Sequence, residues 1–146
     1  MKQWFAGPAN VPPANDTSVV EANLKLIMRR LHEAGVNLML GSDCGYGDVI
    51  PGFAIHDELR MTVEAGLSPY EALRLATVAP ARFLGTLEEA GTVEAGKRAD
   101  LLLVEENPLE DAANAAKRAG VLLGGRWQSE KRLRHGLEEI ARTYGN

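Results

Sequence analysis

The sequence predicts a mixed α/β fold, and three observations carry that expectation. Val20, Leu24, Ile27, Met28 and Leu31 recur at spacings of three and four, the mark of a helix with one apolar face. Gly35 stops that pattern, and Val36 to Leu40 follow at once as an apolar run too short for a helix. From Gly91 to Gln128 the pattern changes again, to short apolar runs separated by glycine and proline turns.

Taken in order, residues 1–15 read as loop, because they hold Gly-Pro and Pro-Pro and no sustained periodicity. Ser18-Val19-Val20-Glu21 has the form of a capping box and starts the first helix. Val36–Leu40 reads as a strand covered on both faces, as in a parallel sheet. Residues 41–52 form a glycine-rich loop, and a helix is expected from Ile55 to Ala65, ended by Gly66. Ser68-Pro69-Tyr70-Glu71 is a second capping box, with proline at the first helical position, opening a helix through Thr77. Pro80 opens a short helix over Ala81–Leu84, stopped by Gly85. Three short helices in succession suggest a satellite layer.

Beyond Gly91, a turn at Glu94–Lys97 leads into an apolar strand at Leu101–Val104, which Asn107-Pro108 ends. Residues 111–119 are alanine-rich and fit either a helical turn or irregular structure. Val121–Leu123, Gly124-Gly125 and Arg126–Gln128 read as a hairpin, the glycines supplying positive φ for a type I′ turn. The tail from Ser129 to Tyr144 places Leu133, Leu137, Ile140 and Ala141 on one face of an amphipathic helix.

The bulk properties narrow the function. The 146 residues suffice for one domain with a modest core. A net charge of -4, with acids and bases interleaved, argues against a nucleic-acid partner. No apolar run approaches the roughly 20 residues that span a bilayer, and the first residues lack the apolar core of a signal peptide. A single cysteine, Cys44, rules out an internal disulfide and fits a reducing cytoplasm.

The residue that draws chemistry is Asp43, in "GVNLMLGSDCG". It follows the end of the expected strand, where functional groups gather in open α/β sheets and α/β barrels. A carboxylate there can hold a metal, act as a general base or receive a substrate amine. The plainer reading is a turn residue bonding backbone amides.

"GVNLMLGSD", "HDELRMTVEAGLSPYEALRLATVAPARFLG", "GTVEAGKRADLLLVEENPLED" and "VLLGGRW" occur in that order. Together they resemble the C-terminal part of the metal-dependent amidohydrolase superfamily, near its imidazolonepropionase and prolidase-like branch, over residues 16–128. The resemblance implies a C-terminal fragment of a (β/α)8 barrel with part of the flanking β-sandwich domain. On that reading residues 16–90 are the last barrel helix–strand unit and its following helices. Residues 91–128 are the C-terminal segment of the sandwich, and residues 129–146 a closing helix. Val36–Leu40 becomes the eighth barrel strand. Asp43 becomes both a catalytic proton carrier and a ligand of a divalent metal, zinc, in the complete barrel. The implied substrate is a small amide, cyclic amide or peptide-like molecule. His56, at a helix start after the Asp43 loop, is implied as a substrate contact; a polar helix-start residue is its plainer reading.

The chain departs from the family in its metal ligands. Its histidines, His32, His56 and His135, form no His-x-His or His-Glu-x-x-His pair. A barrel of this kind takes about 250 residues. The expectation is therefore a chain that binds no metal alone, is catalytically inactive alone, and covers its exposed apolar faces by homo-oligomerisation. The alternative is a non-catalytic binding or assembly module derived from the same fold. Cys44 reads as a small buried thiol and Ser42 as a turn residue. Arg60 and Arg74 read as solvated, and Arg82 as a tie between helices. Lys97, Arg98 and Asp100 read as turn structure, and Trp4 and Trp127 as packing residues.

Overall fold

The computed structural model of the chain describes residues 17–44 and 49–144. The loop expected at 1–15 and Trp4 lie outside the described residues. Helix α1 spans Ser18–Glu33, α2 Ala54–Glu64, α3 Pro69–Ala76 and α4 Val78–Phe83. Strand β1 spans Leu101–Val104, a 3₁₀ turn Ala112–Ala116, β2 Arg118–Leu123, β3 Arg126–Ser129 and helix α5 Glu130–Tyr144.

The first helix begins at the expected cap residue, Ser18, so its cap lies one residue earlier than expected. Thr17 occupies the cap position without a side-chain capping bond, and its carbonyl accepts from the Glu21 amide at 2.8 Å. The second capping box forms as the sequence implies. The Glu71 amide donates to Ser68 Oγ at 3.3 Å, and the Ser68 amide donates to Glu71 Oε2 at 2.7 Å, with Pro69 at the first helical position. Helix α4 starts at Val78, earlier than expected from Pro80. Proline is accommodated there because the first amides of a helix have no intrahelical acceptor to lose.

Val36–Leu40 is extended but forms no β-ladder among the described residues. The expected strand is thus a strand in backbone conformation only. A parallel barrel strand takes its hydrogen bonds from flanking strands, and those partners are not among the described residues. The Leu40 amide donates instead to the Leu75 carbonyl at 2.9 Å, and the Val36 amide to the Leu31 carbonyl at 3.0 Å.

The later half is an antiparallel sheet in the order β1-β2-β3, with Leu102 opposite Val121 and Val121 opposite Gln128. The hairpin turns through Gly124 and Gly125 at φ +54 and +75, as a type I′ turn requires. The Gly124 amide donates to Asp100 Oδ1 at 2.7 Å, and Arg98 Nε donates to the other oxygen of that carboxylate. Lys97 Nζ donates to the Leu87 carbonyl at 2.7 Å and to Thr92. These three residues of "GKRAD" are therefore turn structure.

The main cluster of buried residues is small: Leu59, Ala72, Ala112 and Ala115, with Leu40, Val63, Leu73 and Ala76 against it. It joins α2 and α3 to the 3₁₀ turn, and so links the helical layer to the sheet. Lys25 of α1 reaches Glu64 of α2 at 2.6 Å, and His32 of α1 pairs with Glu71 of α3 at 3.0 Å. Much apolar surface stays exposed. Val20, Leu24 and Ile27 on α1 are all exposed, and Leu101 and Leu122 line an open groove of about 720 Å³.

Candidate functional site

Leu40 packs on the small core, and its amide is tied to Leu75, so the extended stretch is anchored at its C-terminal end. Gly41 and Ser42 then carry the chain to Asp43. Asp43 has φ +46, and it is the one non-glycine residue with positive φ among the described residues. Aspartate tolerates this left-handed conformation better than most side chains, because its short polar group interacts locally.

Asp43 is exposed, and its carboxylate makes no hydrogen bond to any described residue. No turn-capping bond to a described amide is therefore present. Cys44 beside it is exposed, which corrects the expectation of a buried thiol. A buried thiol needs apolar neighbours on all sides, and an exposed loop end does not supply that cover. Arg82 makes no bond between helices among the described residues, and Arg74 lies over the Tyr70 ring at 5.8 Å. Arg60 pairs with Glu64 at 2.6 Å on the exposed face of α2.

His56 sits in the first turn of α2, half-buried, and its Nδ1 is enclosed with no hydrogen-bond partner among the described residues. It lines a groove of about 600 Å³ between the start of α2, the sheet and α5. No bond joins His56 to Asp43. Two residues on from His56, Glu58 is half-buried, and burial pushes its carboxyl up, with the Asp57 charge adding to it. The sequence alone gave no signal for Glu58, because its surroundings come from tertiary packing.

Catalytic zinc takes three protein ligands. Among the described residues no group of three His, Cys, Asp or Glu is placed to hold a metal ion. Asp43 is a single oxygen donor, so the described part of this chain does not by itself fit the metal. Among the described residues, too, no helix is long and apolar enough to cross a membrane.

Comparison with known proteins gives this geometry its context. Residues 10–127 match the model of the Amidohydrolase family. The N-substituted formamide deformylase of Arthrobacter pascens is 32% identical over 111 residues, covering 70% of this chain and 20% of the relative. The imidazolonepropionase of Symbiobacterium thermophilum is 36% identical over 77 residues, covering 52% of this chain and 18% of the relative. Among solved structures, a Xaa-Pro dipeptidase with bound methionine in the active site superposes with a TM-score of 0.66. It is 29% identical and covers 73% of this chain and 25% of that one. The chain thus spans about a fifth to a quarter of the length of the proteins it matches. With most of its length under one family model, the chain belongs to the amidohydrolase family.

Proposed function

We propose that this chain supplies one catalytic acid, Asp43, to an enzyme that hydrolyses a C–N bond in a small amide, cyclic amide or peptide-like substrate. The observation that carries the reading is the position of Asp43, exposed and in the left-handed conformation just past an anchored extended stretch. The stretch Val36–Leu40 is read as the last strand of the barrel. In that setting the Asp43 carboxylate takes a proton from the attacking water and delivers it to the leaving nitrogen. His56, at the start of α2, is the proposed substrate contact.

Family membership implies a divalent metal, zinc in our reading, whose chemistry is activation of the attacking water. Asp43 is one donor toward it, and the remaining ligands come from outside the described residues. Residues 16–90 are then the last barrel unit with its helices, 91–128 the sandwich segment and 129–146 the closing helix. The exposed apolar residues of α1 support homo-oligomerisation, and the unpaired cysteine suits the cytoplasm. Those same exposed faces favour the second reading, a non-catalytic assembly module.

The purified 146-residue chain, assayed with added zinc on N-formyl amines and Xaa-Pro dipeptides, is expected to give no turnover above buffer. Zinc-dependent turnover that Asp43→Ala abolishes would overturn the incomplete-site part of the proposal.

A further inference from the structure

The groove beside α5 is lined by His56 and by two arginines that the proposed hydrolysis does not use. Its walls are Phe53 and Ile55 near the start of α2, Leu102 and Val121 on the sheet, and Leu133 and Leu137 on α5. It measures about 600 Å³, within the range of small-molecule sites. All three walls come from described residues of this chain.

Its polar residues are His56, Arg118, Gln128 and Arg132. Arg118 on β2 and Arg132 on α5 both line it, and among the described residues no acidic one does. Arg29, Arg30, Arg60, Arg98 and Arg134 each pair with a carboxylate. Neither Arg118 nor Arg132 has a side-chain hydrogen bond or ion pair to any described residue. His56 adds to the same lining its enclosed Nδ1, which has no partner among the described residues. Apolar walls with two unpaired guanidiniums complement a ligand that has an apolar body and an anionic end.

We propose that this groove between α2, the sheet and α5 binds a small aliphatic carboxylate, the chain against the apolar walls and the carboxylate on Arg118 and Arg132. The site does not include Asp43; it shares His56 with the proposed hydrolysis but rests on Arg118 and Arg132, which that reading does not use.

Titration calorimetry of the full chain with octanoate, octanol and octyl phosphate tests this. Octanoate is expected to bind, with octanol weaker by about tenfold or more, the scale of losing a charged partner. Arg118→Gln and Arg132→Gln, on different elements, should each weaken octanoate by a similar factor while circular dichroism stays unchanged. Arg126→Gln, outside the groove, should leave it unmoved. Equal binding of octanol and octanoate, or octanoate binding unaffected in whichever groove variant remains folded, would overturn the site. Octyl phosphate binding tenfold tighter than octanoate would overturn the choice of carboxylate.

Discussion

His32 Nε2, at the end of α1, lies 3.0 Å from Glu71 Oε1, in the first turn of α3. The other oxygen of that carboxylate accepts from the Ser68 hydroxyl at 2.6 Å and the Ser68 amide at 2.7 Å. One side chain thus caps its own helix and ties it to the helix that leads into the Asp43 stretch.

That arrangement makes stability depend on acid. The Ser68 hydroxyl and amide, then His32, pull the Glu71 carboxyl down from 4.5 to about 2. A carboxyl lowered on folding contributes stability that is full above its unfolded value and is lost as pH falls through its folded one. The contribution of Glu71 is therefore complete above about pH 4.5 and disappears toward pH 2. In urea unfolding, the gap between the wild type and Glu71→Gln should be largest near neutral pH and close over that window. A pH-independent gap would contradict it. Glu64, Glu94 and Asp100 are lowered too, but they titrate in both proteins and cancel in the difference.

The hairpin yields a packing prediction. A Cβ placed on Gly120 would collide with the Trp127 ring and stand 2.7 Å from the Gln128 carbonyl oxygen. Gly120→Ala should cost about 1–3 kcal/mol, the usual scale of overpacking. Trp127→Leu in the same background should recover part of it by removing the ring. Chemical denaturation followed by circular dichroism checks both.

The exposed face of α1 yields a third. Sedimentation at micromolar concentration should find a species larger than the 146-residue monomer, and Ile27→Glu should shift it toward monomer. A wild-type monomer would contradict the oligomer reading.

Local signals were the legible part. The Ser68–Glu71 box and the Gly124-Gly125 turn are written in adjacent residues, so each could be read before any tertiary contact. The ordered family motifs were legible for the same reason. That Val36–Leu40 has no ladder among the described residues was not, because pairing is decided by strands distant in sequence. The conformation of Asp43 was not either, since nothing in Gly-Ser-Asp demands positive φ. Arg118 and Arg132 escaped notice because a strand and a helix bring them to one groove without a motif. Cys44 was misplaced by the habit of thiols to be buried, which a loop end overrides.

The most direct test of the account is the rate of a chimera. This chain would replace the matching fifth of the N-substituted formamide deformylase from Arthrobacter pascens. The chimera should hydrolyse the deformylase's substrate, and Asp43→Asn should lower kcat by roughly 10²–10⁴, the range for a general acid–base residue, with the fold intact. A folded but inactive chimera, or an active one whose kcat ignores Asp43→Asn, would contradict the assignment of Asp43.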